Sequence, residues 1–127
     1  MVRIGVKLRL TLFIFTALTI LYLSVMPNPP VPQTGILSWD KAQHAIAYAF
    51  LASMAGWALL PLVPPPMRVW RYALIFALGY GVLMEALQAW LTSARSGDIA
   101  DIIANAVGGL MIYGLVRLVS GQLWSKT

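Results

Sequence analysis

Residues 70–91 read W-R-Y-A-L-I-F-A-L-G-Y-G-V-L-M-E-A-L-Q-A-W-L, 22 residues without a proline and with one carboxylate, Glu85. A helix rises about 1.5 Å per residue, so a bilayer core of roughly 30 Å needs about 17–25 such residues. This stretch has the length to cross. It also carries a charged group within the crossing, which costs on the order of 2.5–3.5 kcal/mol at mid-membrane and less toward the interface. Something must compensate Glu85, and the search for that partner organises the rest of the chain.

Three other apolar stretches have spanning length: Leu10–Met26 with 17 residues, Ala42–Leu60 with 19 and Ile99–Leu118 with 20. The 127 residues are 60% hydrophobic and 10% charged, with mean hydropathy +0.79. These values predict a single all-α domain over residues 1–127, a polytopic four-transmembrane-helix bundle whose solvent is the lipid bilayer. All eight prolines fall between spans, at 27–32 and 61–66. Proline lacks the N–H that a helix interior uses, so both clusters mark helix ends. The first opens a loop of about fourteen residues with polyproline-like backbone. The turn T-S-A-R-S-G-D is short, which makes the third and fourth helices an antiparallel pair. Small residues at packing spacing (Ala45, Ala49 and Ser53; Gly79 and Gly81; Ala104, Gly108 and Gly109) suit close helix contact, which replaces water-driven association inside a membrane.

The net charge of +5 has a topological explanation. Arg3, Lys7, Arg9, Arg68, Arg71, Arg117 and Lys126 fall on one side of the spans, and only Lys41 and Arg95 on the other. The positive-inside rule then predicts an inner-membrane protein with both termini cytoplasmic. That distribution argues against a nucleic-acid partner. The first span, lacking an A-x-A-like cleavage site in S-V-M-P-N-P-P, reads as an uncleaved signal anchor. Trp39 and Trp90 are expected at the outer boundary, and Trp70 and Trp124 at the inner one. With no cysteine, thiolate zinc sites and disulfides are excluded. No cofactor or metal is expected, because H-E-x-x-H spacing is also absent.

Polar residues collect at the side opposite the basic one. Asp40, Lys41, His44 and Tyr48 open the second span, Glu85 and Gln88 approach the end of the third, and Arg95, Asp98, Asp101 and Asn105 lead into the fourth. Measured from their helix ends, His44 lies roughly 6 Å deep, Tyr48 12 Å, Glu85 9 Å, Gln88 5 Å, Asp101 5 Å and Asn105 10 Å. Spacing of three or four residues keeps each set on one face. Three polar stripes at matching depth can converge on one cavity. Simpler explanations serve some members: Asp98 can cap a helix with Asp101 in its first turn, and Asp40 and Lys41 can be an end charge and a snorkelling lysine. Glu85 and Asn105 lie away from helix starts and need another reason, with Arg95 and His44 the cationic groups in reach.

The segments D-K-A-Q-H-A-I-A-Y-A-F-L, E-A-L-Q-A-W-L and R-S-G-D-I-A-D-I-I-A-N-A-V-G-G, in that order, resemble the VanZ-like family of small bacterial membrane proteins. The resemblance covers about Asp40–Gly114. By resemblance the family positions are Asp40, Lys41, His44, Tyr48, Glu85, Gln88, Arg95, Asp98, Asp101, Asn105 and Gly108. The family's namesake is associated with resistance to the glycopeptide teicoplanin. Many members stand outside resistance operons, so the resemblance does not carry that phenotype to this chain.

Two functional classes, and a structural one, fit these residues. The first is an outward-facing polar pocket that binds an envelope lipid headgroup, wall precursor or glycopeptide, with Arg95 meeting an anionic group and Glu85, His44 and Asp101 supplying hydrogen bonds. The second is a membrane hydrolase or transferase using His44 as general acid/base with Asp40 or Asp101 orienting it. No serine or cysteine nucleophile is apparent. The third is a subunit whose polar stripes lock helices or dock a partner.

Overall fold

The computed structural model describes residues 2–92 and 97–124. It consists of four helices, α1 (Val2–Val25), α2 (Asp40–Leu59), α3 (Pro66–Leu91) and α4 (Ile99–Trp124), with a single 3₁₀ turn at Ile36–Ser38. No strand occurs among the described residues. The prolines act where expected: α1 stops before Pro27, α2 before Pro61, and Pro66 takes the first position of α3, where its missing N–H has no helical partner to lose.

Three helices are long and apolar enough to cross a membrane, through Ile4–Val25, Pro66–Leu91 and Ile99–Gly121. The expected fourth, α2, has the length, 20 residues, but not the composition, because its first two turns are D-K-A-Q-H-A-I. Those polar residues dilute its apolar remainder. The sequence reading started the span at Ala42; the helix itself starts at Asp40 and includes the charges.

Even so, α2 is the centre of the packing. Its buried face is Tyr48, Leu51, Ala52, Ala55, Gly56 and Ala58, a stripe at three- and four-residue spacing. Close approach to α4 is set by Gly108, where a methyl group would overlap the Ala45 carbonyl and stand 2.9 Å from Ala49 N. At the other end, Gly56 leaves the space that the Trp70 ring of α3 fills. Trp70, expected at the inner boundary, is a packing residue. Gly79, expected in a helix contact, has nothing within 4 Å of where its Cβ would be.

Contacts orient the helices. Arg9 near the start of α1 donates to the Trp57 carbonyl near the end of α2 at 3.0 Å, so these two run antiparallel. Phe13 meets Phe76, and four residues on along both helices Tyr80 donates to the Ala17 carbonyl, which places α1 and α3 in parallel. Asp98, just before α4, meets Glu85 near the end of α3, so that pair is antiparallel as the short turn implied. The starts of α2 and α4 and the end of α3 thus share one end of the bundle. Trp39 and Trp90 stand there with mostly exposed rings.

Candidate functional site

That shared end holds all four acidic residues of the chain, Asp40, Glu85, Asp98 and Asp101. The buried polar side chains are Glu85, Gln88, Asp101 and Asn105, each at most 6% exposed. Every one continues an apolar face. In α3 the stripe Val69, Ala73, Ala77, Gly81 runs directly into Glu85 and Gln88. In α4, Asn105 and Asp101 lie one and two turns above the Gly108 contact, on the same side. Packing at the small residues therefore carries the polar ones into the bundle.

Lys41 is the electrostatic hub. Its Nζ lies 3.2 Å from Asp40, 3.1 Å from Asp98 and in contact with Asp101. Asp98 also caps α4, its Oδ1 accepting from Ala100 N at 2.9 Å. That backbone bond first, and Lys41 second, hold its carboxyl below the ordinary aspartate range. Capping and clustering, treated as alternatives from sequence, are both true of Asp98.

One turn deeper, His44 joins α2 to α4. Its Nδ1 is 2.9 Å from Asn105 Oδ1, and its Nε2 is 3.6 Å from Asp40 and 3.7 Å from Asp101. An imidazolium would donate from both nitrogens in this setting. A neutral imidazole protonated at Nε2 would instead accept from the Asn105 amide turned over. Asp40, His44 and Asp101 bring ligand-capable atoms within 4.8 Å of one another. The Lys41 ammonium already lies against both carboxylates, so a positive charge is supplied there from within the chain.

Glu85 makes a backbone contact that the sequence did not announce. Its Oε2 accepts from the backbone N–H of Asp98 at 3.1 Å, so this carboxylate secures the start of α4 against the end of α3. Arg95, the expected cationic partner for Glu85 and for an anionic ligand, lies outside the described residues.

Between α1, the proline loop and α2 is a cleft of about 130 Å³. Asp40, Gln43, His44, Tyr48 and Gln88 supply its polar lining, and Ile20, Leu23 and Pro30 part of its apolar wall. Tyr48 is 2% exposed, yet its hydroxyl has no hydrogen-bond partner among the described residues; the same holds for Asn105 Nδ2. An unpaired buried hydroxyl costs roughly 1–3 kcal/mol by mutational measures. The stripes of α2 and α4 thus meet directly through Lys41 and His44, and Gln88 reaches the cleft from α3. The cleft also includes Ser24 and Gln43, which the sequence reading did not single out. Gln43 had a signal, since it lies three residues from Asp40; Ser24 stands alone on an apolar helix and had none.

Comparison with curated proteins and with solved structures gives no match. The VanZ/LLP1 family model matches residues 8–120, which takes in α2, α3, most of α1 and α4, and every residue of the polar end. The chain belongs to the VanZ/LLP1 family, and with its three long apolar helices it is a membrane protein.

Proposed function

We propose that the chain is an inner-membrane protein with both termini cytoplasmic, whose polar end faces outward and binds the headgroup of a cell-envelope molecule. The carrying observation is the cleft itself, an opening lined by Asp40, Gln43, His44 and Tyr48, with the Tyr48 hydroxyl buried and without a hydrogen-bond partner among the described residues. A side chain that only locked helices together would have a protein partner for that group.

The orientation rests on charge. Arg68 and Arg71 open α3 and Arg9 lies near the start of α1. If α2 did not cross, α3 would begin on the side where α1 ends, and its two arginines would face outward against the positive-inside rule. Crossing by α2 restores the rule. Its polar first turns then lie at the outer interface, where charged groups cost little.

Size selects among ligands. Pockets that enclose drug-sized molecules are about 300–1,000 Å³. The cleft, at about 130 Å³, takes a small polar group. A headgroup, or one terminal group of a wall precursor, fits this description; a whole glycopeptide does not. Any part in glycopeptide resistance would then run through an envelope component that the protein holds.

The test uses purified protein equilibrated with a bacterial polar-lipid extract, washed, and examined by mass spectrometry for retained species. Tyr48→Phe should raise the melting temperature rather than lower it, since it removes a buried hydroxyl with no hydrogen-bond partner among the described residues, and should lower retention at least fivefold. His44→Ala should lower it too. Undiminished retention in both variants would overturn the proposal.

One observation favours a second reading. An imidazole held between two carboxylates and an amide at the rim of a cleft is also an acid/base arrangement. Turnover of a retained lipid by the wild type, absent in His44→Ala, would make the site catalytic.

A further inference from the structure

A second, larger cavity adjoins the cleft. It is a groove of about 920 Å³ between α1 and α2, and it shares Ile20, Leu23 and Ala47 with the polar cleft. Each wall is a single helical stripe. On α1 it includes Leu12, Phe15, Thr19 and Leu23, and on α2 Ile46, Phe50 and Trp57. The two threonines on the α1 wall do not make it polar. Thr16 and Thr19 donate their hydroxyls to the carbonyls of Leu12 and Phe15, each at 2.8 Å, and so turn apolar surface outward.

From Leu12 to Leu23 the groove runs about 16 Å at about 1.5 Å per residue, half of a hydrocarbon core of roughly 30 Å. Its far end is closed by charge. The Arg9 guanidinium stacks 4.9 Å from the centre of the Trp57 ring and donates to that residue's carbonyl. A spanning helix from another protein needs the full thickness of the bilayer. This groove offers about half of that length, from one turn above Arg9 up to the polar cleft, with which it shares Ile20, Leu23 and Ala47.

Resting on the proposed headgroup site, we infer that the ligand is a single outer-leaflet lipid, its chain in the α1–α2 groove and an uncharged, hydroxyl-bearing headgroup in the cleft. The chemistry of the lining selects that headgroup. Lys41 is engaged by three aspartates, so among the described lining residues only His44 can carry positive charge. Asp40 is half exposed and lines the cleft, its carboxylate oxygens shared with Lys41 and His44, and Gln43, Gln88 and Tyr48 add groups that accept from hydroxyls. A phosphate-bearing headgroup would meet the Asp40 carboxylate; a glycosyl headgroup would donate to it.

The experiment is native mass spectrometry of the intact chain in detergent, titrated with monoglucosyl diacylglycerol and with phosphatidylglycerol of the same acyl chains. Methyl glucoside binding, followed by saturation-transfer NMR, reports on the cleft without a tail. The expected result is at least tenfold tighter binding of the glucosyl lipid than of phosphatidylglycerol. Ile46→Trp and Thr19→Phe, at residues that line the groove and not the cleft, should each reduce glucosyl-lipid binding about tenfold and leave methyl glucoside binding unchanged. Ile46 is half exposed, so the first of these does not challenge folding. Asp40→Asn should narrow the preference for the glucosyl lipid at least threefold. Equal binding of the two lipids, or unchanged binding in both groove variants, overturns the inference. If methyl glucoside alone binds as tightly as the lipid, the inference fails while the headgroup site stands. If neither binds, both fall. A dimer that the groove variants dissolve would assign the groove to a second copy and overturn the lipid reading.

Discussion

Gly108→Ala tests the geometry on which the polar end depends. In an isolated helix the change is favourable by about 1 kcal/mol, because alanine is the better helix former. Here the new methyl would overlap the Ala45 carbonyl oxygen and stand 2.9 Å from both Ala45 C and Ala49 N. These are backbone atoms of α2 and cannot rotate aside. Carbon contacts are comfortable at about 3.5–4.0 Å, so α2 and α4 must separate by an amount on the order of 1 Å. Overpacking of this kind costs about 1–3 kcal/mol, and the upper part of that range applies where the obstacle is backbone. The net expectation is a loss of about 2 kcal/mol after the propensity gain. The same shift stretches the 2.9 Å bond between His44 and Asn105, which lies one turn away. Gly114→Ala is the control, because nothing lies within 4 Å of its Cβ position and only the propensity gain remains. Reversible unfolding in mixed micelles, followed by circular dichroism, should show the two variants moving in opposite directions. A Gly108→Ala protein as stable as Gly114→Ala would refute the close α2–α4 seam.

Other consequences can be measured separately. Lys41→Met leaves the nearly buried Asp101 without its ammonium and should destabilise by about 1–3 kcal/mol, less than the 3–5 kcal/mol typical of a fully buried pair because Lys41 is partly exposed. Asp98 titrates below its ordinary value, so its stabilising contribution is complete above about pH 4, the unfolded value, and is lost as pH falls through the lowered folded value. Melting temperatures across that acid range should therefore fall less steeply in Asp98→Asn than in wild type. Single cysteines at Gln33 and Leu62 should react with a membrane-impermeant maleimide from opposite sides of the membrane. Labelling from the same side would show that α2 does not cross.

The parts of the fold that were legible in the sequence are those with a local cause. Pro27 and Pro61 announce the ends of α1 and α2 because no later residue can restore the missing N–H. Gly108 and Ala45 announce a close contact because few other residues allow one. Pairing across helices was only half legible. Depth along each helix set His44, at roughly 6 Å, level with Asp101 rather than with Asn105 at roughly 10 Å, and the rotation that turns His44 and Asn105 together comes from the Gly108 seam. Glu85 was recognisable as a group needing compensation. One of its partners is the N–H of Asp98, and a backbone amide has no side-chain signature to read. The membrane status of α2 is blurred for a related reason, since the residues that build the site are those that dilute its apolarity. The α1–α2 groove was invisible, because its threonines read as polar until their hydroxyls turn back onto their own helix.

The convergence of Lys41 and His44 on Asp98, Asp101 and Asn105 has a consequence for how the chain is made. During synthesis α2 emerges before α4 exists, and α3 must be made before the acids of α4 can arrive. Until then the lysine and histidine at the head of α2 have only Asp40 from the cluster as a neighbour, and water must solvate the rest. The last helix to emerge therefore completes the second. Ribosome-bound chains that stop before residue 98 should hold the head of α2 open to aqueous reagents, and its protection should appear only once α4 has been inserted.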